Sequence, residues 1–289
     1  MIDDDLAFGP EFDDASLCSD SELANLLDAI YRHHRHDFRS YAMPSLRRRL
    51  GWAMHRLQVQ DVHQLWVRLA ADPQQFPHFL QYLTVPVSAM FRDPTYFLAL
   101  RTEVLPLLKS LPATKIWIAG CCTGEEAYSM AIMLHEESML DNCVIYATDI
   151  NLIALRTAEQ GIFSISSLQD YTQNYQAAGG RNTFSDYYHV AYGNAVFSRF
   201  LRDHIVFAEH SLATDAVFSE MQFISCRNVL IYFNRQLQNA TLDLFADGLS
   251  PGGFLGLGGR EKLMAGNRDK RFEHFVQKSK IYRKRSELE

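Results

Sequence analysis

What the chain lacks narrows its function first. No uninterrupted apolar stretch approaches the ~18–20 residues of a membrane-spanning helix, so insertion into a bilayer is not expected. The 5 cysteines, Cys18, Cys121, Cys122, Cys143 and Cys226, include no Cys-x-x-Cys pair, and their odd number argues against a disulfide framework. Reduced thiols and a cytoplasmic location are expected, with no metal. Positive charge is not in excess: 28 Lys and Arg against 34 Asp and Glu leave a net charge of −6, which gives no global field for nucleic acid or an anionic membrane. The first residues, "MIDDDLAFGPEFDD", are acidic and do not read as a secretory signal. No internal repeat or low-complexity tract stands out. What is abundant is core material. Hydrophobic residues make up 47% and charged residues 21% of 289, enough for one large or two ordinary domains and against wholesale disorder.

The pattern changes twice along the chain. Residues 1–18 are acidic and aperiodic, and a flexible tail is expected. In "SDSELANLLDAIY", Ser19 and Glu22 fit a capping box ahead of Leu23, Leu26, Leu27 and Ile30 at helical spacing. Three more helices follow: "PSLRRRLGWAMHRL" with Pro44 at its start, "DVHQLWVRLA" capped by Asp61, and the short "PHFLQYLTV". Residues 19–84 therefore read as a helical domain. "VPVSAMFRDP", residues 85–94, reads as a linker, and Asp93-Pro94 opens another helix. From there to residue 289 short apolar runs alternate with helical patterns. "KIWIAG", "CVIYATDI", "HIVFAEH", "MQFISC" and "FLGLGG" are strands, "LIALRTAEQG" is a helix stopped by Gly161, and "NRQLQNATLDLFADG" is another. Such alternation predicts an α/β domain with a mostly parallel sheet. Residues 165–203 break the rhythm, and a hairpin around Gly193-Asn194 is expected within an inserted β-subdomain of about residues 183–203.

The first strand–turn–helix, "IWIAGCCTGEEAYSMAIMLHE", carries the chemistry. In an open α/β sheet such a turn lies where ligands bind. Gly120 and Gly124 bracket it, but Cys122 stands where a dinucleotide fingerprint has its second glycine, and Glu125 and Glu126 would repel a pyrophosphate. One carboxylate at a helix start also complements the helix dipole. Asp149, 25 residues after Gly124, ends the next strand at the spacing of an acid that meets a ribose diol. Together these imply a ligand with a ribose, no phosphate and positive charge, which fits S-adenosylmethionine.

Four segments, in order, carry a resemblance: "VSAMFRDPTYF" (87–97), "IWIAGCCTGEEAYSMAI" (116–132), "IYATDIN" (145–151) and "FISCRNVLIYFN" (223–234), with "LSPGGFLGLGGRE" as a fifth. The chain resembles the chemotaxis receptor methyltransferases of the CheR type over about residues 20–285. The resemblance implies a helical N-terminal domain joined to a class I, Rossmann-like S-adenosylmethionine-dependent methyltransferase domain with a small β-subdomain. It implies methyl esterification of glutamate side chains on the cytoplasmic helical bundle of chemoreceptors. Its cofactor contacts fall on Pro86, Ser88 and Arg92 in the linker, Glu126 at the methionine end, Asp149 at the ribose, Ser211 and Leu212 at the adenine, and Arg227 and Asn228 after a strand. Arg92 and Tyr232 fall beside the transferred methyl.

The chain departs from that family at two positions, since Pro86 and Ser211 stand where asparagine is common. Either could weaken cofactor binding, which keeps open a non-catalytic S-adenosylmethionine-binding regulatory module. The short "AYGNAV" turn lacks the insertion of members that grip a receptor's C-terminal pentapeptide, so no such tether is expected. Arg47, Arg48, Arg49 and Arg56 are candidates for docking an acidic receptor bundle, against the plainer reading of a solvated helix face. "HHRH" at 33–36 has no accompanying cysteine or acid spacing for a metal.

Overall fold

The computed structural model describes residues 18–263 and 271–286, so the acidic tail expected at the start lies outside the described residues up to position 17. Four helices come first: α1 (Asp20–His34), α2 (Met43–Arg56), α3 (Val62–Ala71) and α4 (Gln75–Leu83). Ser19 and Glu22 form the capping box of α1 in both directions. Asp61 caps α3 by accepting from Gln64 N–H at 2.8 Å. The apolar stripes Leu23, Leu26, Leu27 and Ile30 of α1 and Leu46, Leu50 and Ala53 of α2 meet Phe79, Leu80 and Leu83 of α4 in one core. Each fully buried Leu or Phe contributes about 1.5–3 kcal/mol at most. The histidines at 33–36 belong to this packing: His34 stacks flat on Phe76 with ring centres 3.8 Å apart, and His33 meets Trp66 edge-on.

The second part begins at α5 (Pro94–Ala99), which passes through a π-helical stretch, Leu100–Val104, into α6 (Leu105–Leu108). Sequence spacing predicts one regular helix here. Pro106 has no N–H and crowds the preceding turn, and the wider π turn lies directly ahead of it, a common relief of that conflict. Then follow β1 (Thr114–Ala119), α7 (Glu125–Glu136), β2 (Cys143–Asp149), α8 (Leu152–Gln160), β3 (Ile162–Ser164), α9 (Leu168–Ala177), β4 (Tyr188–Ala191), β5 (Asn194–Phe197), α10 (Arg199–Arg202), β6 (Ile205–Glu209), β7 (Met221–Cys226), α11 (Arg235–Gly248), β8 (Leu249–Leu257), β9 (Phe272–Val276) and β10 (Ile281–Lys284). The main sheet has the order β6-β2-β1-β7-β8-β10-β9. Its first five strands are parallel, and β10 and β9 add antiparallel at one edge.

The small sheet has the order β3-β5-β4 and is antiparallel. It recruits Ile162–Ser164, well ahead of the hairpin expected from sequence. The hairpin turn is Tyr192-Gly193, with φ of 49° and 73°, and Asn194 already belongs to β5. Two positive φ values in a two-residue loop suit the twist of the flanking strands.

The helical part is fastened over the carboxyl ends of the main sheet. Ala42 N–H donates to Tyr232 O at 2.8 Å, Asn234 N–H to Ser40 O at 2.9 Å, and Tyr41 and Phe233 form an antiparallel bridge. Asn151, which caps α8, also donates its amide to Thr84 Oγ1 at 2.9 Å.

Candidate cofactor and active site

A cavity of about 300 Å³ lies beyond the ends of β1, β2 and β7, roofed by Tyr41, Arg49 and Thr84 of the helical part. Its floor is the turn after β1. Gly120 and Cys121 donate their N–H groups to Thr148 O at 2.8 and 2.9 Å. Gly120 has φ 77°, and a Cβ there would overlap Val229 Cγ2, so only glycine lets the turn pass under the loop that follows β7. Cys122 takes the left-handed conformation (φ 55°) without being glycine. Its N–H donates to Asp149 Oδ2 at 2.9 Å, which holds it there.

Two carboxylates face the cavity, Glu126 and Asp149. Asp149 Oδ1 accepts Asn151 N–H at 2.9 Å, so each of its oxygens is fixed by one backbone donor. Each oxygen retains a lone pair for a ligand hydroxyl. Loss of hydration pushes the Asp149 pKa up, against those N–H bonds. Glu126 Oε1 accepts from Ser225 Oγ at 2.5 Å, and Oε2 from Arg227 Nη1 at 3.0 Å. Glu125, read with Glu126 as a pair, turns away instead. It is buried and accepts from Thr123 Oγ1 at 2.7 Å, and burial raises its pKa. Adjacent helix positions point in different directions, so only one of two consecutive acids can face the ligand.

Arg227 ties the linker to this floor. Its Nη2 donates to Asp93 Oδ2 and to Arg92 O, both at 2.7 Å, and its guanidinium lies 4.2 Å from the Tyr96 ring centre. Burial works against its charge, but Glu126, Tyr96 and Asp93 outweigh it and the net shift is upward. Phe91 and Asp93 adopt positive φ, at 50° and 57°. Such strain persists only where the surroundings over-determine it. Here Phe91 N–H donates to Ser129 Oγ at 2.8 Å and Asn174 Nδ2 to Met90 O at 3.1 Å.

The loop after β7 has its own anchor in Glu261, the last residue of the fifth segment that carries the resemblance, though nothing in that segment states its role. Glu261 is buried and accepts four backbone N–H groups: those of Asn228, Val229, Leu230 and Gly258, at 3.0, 2.9, 2.8 and 2.6 Å. Asn228 sits left-handed at φ 60° inside that clamp. Burial raises the Glu261 pKa against the pull of those four donors.

Of the residues singled out from sequence, Ser88, Arg92, Gly120, Glu126, Asp149, Leu212, Arg227, Asn228 and Tyr232 line this one cavity. Pro86 and Ser211 are not among the lining residues. Pro86 is the apex of a tight turn closed by Val87 N–H on Val85 O at 2.8 Å, and Ser211 Oγ accepts Ala213 N–H at 3.3 Å. The two positions that depart from the resemblance thus sit off the cavity surface.

The four arginines proposed for docking do not form one exposed patch. Three successive helix positions fan out around the axis at about 100° each. Arg47 donates to Cys18 O at 2.7 Å and pairs with Asp20. Arg49 is buried: Nη1 donates to Leu83 O at 2.9 Å, and its guanidinium lies 4.1 Å from the Tyr232 ring centre in the cavity wall. Only Arg48 and Arg56 are exposed, with Arg56 5.4 Å from the Trp52 ring centre.

The residues present fit an adenosine-type cofactor with a cationic end. Glycine lets the backbone floor pass beneath the loop, acids stand at two ends, and Val229, Ile150 and Leu212 give an apolar surface for a base. The architecture and site define a nucleoside-cofactor enzyme of the class I methyltransferase type. Residues 86–281 match the CheR methyltransferase S-adenosylmethionine-binding domain, and residues 21–84 match the CheR methyltransferase all-alpha domain. The chain belongs to the CheR methyltransferase family, and its cofactor is S-adenosylmethionine. A Pseudomonas putida protein named as a methyltransferase, Cher3, is 51% identical over 92% of this chain and 97% of its own. A Listeria innocua protein named chemotaxis protein methyltransferase is 28% identical over 79% of this chain and 85% of its own. Among solved structures, the N-methyltransferase NodS of Bradyrhizobium japonicum, in complex with S-adenosylhomocysteine, gives a TM-score of 0.32 at 16% identity, over 59% of this chain and 62% of that one.

Proposed function

We propose that the chain transfers methyl groups to glutamate side chains on the cytoplasmic helical bundle of chemoreceptors, and acts in the cytoplasm. The observation that carries this reading is the composition of the cavity wall. Two carboxylates, Glu126 and Asp149, serve the cofactor, while three donors, Arg49, Arg92 and Tyr232, serve a carboxylate acceptor. Relatives named chemotaxis protein methyltransferase support the receptor as substrate.

When bound, the cofactor supplies a methyl group on a cationic sulfur for direct displacement. A glutamate side chain, with a reference pKa near 4.3, is already anionic at neutral pH and needs no strong base. The protein's contribution is alignment and exclusion of water. Arg92, with Nη1 on Val87 O at 3.2 Å, is held at the linker edge where it can fork onto an incoming carboxylate. Tyr232, stacked under Arg49, offers a hydroxyl from the cavity wall. Asp149 holds the ribose, and Glu126 the ammonium of the amino-acid end. The tight Tyr192-Gly193 turn of the β-subdomain supports receptor engagement without a C-terminal pentapeptide tether.

The test is transfer of labelled methyl to receptor cytoplasmic fragments, read as base-labile methanol release. Tyr232→Phe should lower kcat while leaving S-adenosylhomocysteine affinity within a few-fold, and Arg92→Ala should lower both. Base-stable labelling would move the acceptor from carboxylate to nitrogen and overturn the proposal.

A further inference from the structure

Ser225 and Tyr96 are buried polar residues whose hydroxyls end on the cavity-facing carboxylate. Ser225 is fully buried in β7, among Phe223, Ile224 and Cys226. A buried hydroxyl is costly unless paired. Its Oγ donates to Glu126 Oε1 at 2.5 Å. Serine has a single hydroxyl proton, so Tyr96 OH, 2.8 Å from Ser225 Oγ, is the donor between those two. The chain of donation therefore runs from Tyr96 to Ser225 to Glu126. Burial first, and then the Glu126 charge, raise the Tyr96 pKa and keep that donor protonated. Gly256 leaves the space that the Tyr96 hydroxyl occupies, since a Cβ there would overlap it.

Arg227 alone would leave one Glu126 oxygen unfixed. A guanidinium and a carboxylate favour a fork of two parallel bonds. Here Nη1 reaches Oε2 at 3.0 Å, while Nη2 is taken by Asp93 and the Arg92 carbonyl. With Nη2 occupied, the contact with Arg227 is single and fixes only Oε2; Ser225 fixes Oε1, and each oxygen keeps a lone-pair site for a ligand. We propose that Tyr96 and Ser225 are positioning residues of the cofactor site: a two-hydroxyl relay that fixes the Glu126 oxygen Arg227 leaves unbound and so presents the carboxylate to the cofactor's ammonium group. This rests on the reading of Glu126 as the residue that holds the amino-acid end. It adds that the carboxylate's aim, and with it recognition of that end, is set by two residues outside the lining.

Two probes separate this role from general damage. S-adenosylhomocysteine carries the ammonium, whereas 5′-methylthioadenosine keeps the base, ribose and sulfur without the amino-acid end. Calorimetric affinities for both would be measured on the full chain for wild type, Ser225→Ala, Tyr96→Phe and Glu126→Gln. Ser225→Ala should weaken S-adenosylhomocysteine about tenfold, or about 1.4 kcal/mol. Tyr96→Phe should weaken it several-fold, and both should leave 5′-methylthioadenosine within about twofold. Tyr96→Phe keeps the ring and its stacking on Arg227, so it decides the matter even if Ser225→Ala folds poorly. Equal loss for both probes, or no loss for either, overturns the relay. If Glu126→Gln discriminates between the probes and the hydroxyl variants do not, the relay is wrong and the Glu126 reading stands. If Glu126→Gln fails to discriminate, the underlying reading falls.

Discussion

At the scale of residues, the site is governed by carboxylates whose surroundings differ. Asp149 is deprived of water and its pKa is raised. The ribose contact proposed for it needs the anion as acceptor. Lowering the pH should therefore weaken S-adenosylhomocysteine binding in a window above the ordinary aspartate range of about 3.9. Asp149→Asn should weaken binding about tenfold or more and flatten that dependence. Isothermal titration across mildly acidic pH reads both, and a profile identical in wild type and variant contradicts the assignment. Stability has the opposite sign. The raised folded pKa values of Glu125, Asp149 and Glu261 contribute stability that is present below the unfolded-state carboxylate range and lost as pH rises through the folded values. Glu261 offers a second test. Replacing it with the isosteric glutamine sets an amide NH2 against backbone donors in a buried clamp. A loss of about 2–3 kcal/mol is expected in denaturant unfolding. An unchanged midpoint would show that the loop does not depend on the clamp.

At the scale of elements, the turn between β1 and α7 tolerates little change. Gly120→Ala adds a Cβ at φ 77° and into Val229. Cofactor binding should fall by at least about tenfold, with a stability loss of about 1–3 kcal/mol. Near-normal affinity with a normal melting curve would refute the close approach. This turn was legible in sequence because glycine and the flanking strand and helix patterns are local. So was the α1 cap, where Ser19 and Glu22 stand three residues apart. The three-residue β3 was not legible, because Ile162–Ser164 is too short to show a period and pairs with β5 across thirty-odd residues. Nor was β9, Phe272–Val276, which among the described residues is an edge strand paired with β10 alone. The Glu261 clamp was invisible because its partners are backbone N–H groups, which carry no residue signature. The split of the arginines on α2 was decided by what the other elements placed around them: Tyr232 against Arg49 and Asp20 against Arg47.

At the scale of the whole molecule, the helical part and the α/β part share a site rather than merely a linker. Tyr41 packs with the helical core and with the core around Phe233, and Ile150 of the α/β part packs against the helical core. Thermal unfolding should accordingly show one cooperative transition, and S-adenosylhomocysteine should raise its midpoint as a unit. Two transitions, with only the later one shifted by ligand, would show that the roof is not part of the binding unit. Among the described residues no helix is long and apolar enough to cross a membrane.

The roof has a consequence for engineering. A designer who grafts α2 from one relative onto another to test Arg48 and Arg56 as docking residues would also be exchanging Arg49, and with it the stacking partner of Tyr232. Any effect on docking would then be confounded with an effect on the cavity wall wherever the grafted helix does not carry arginine at position 49. Only libraries that vary Arg48 and Arg56 while freezing Tyr41 and Arg49 would let the two properties be tuned apart.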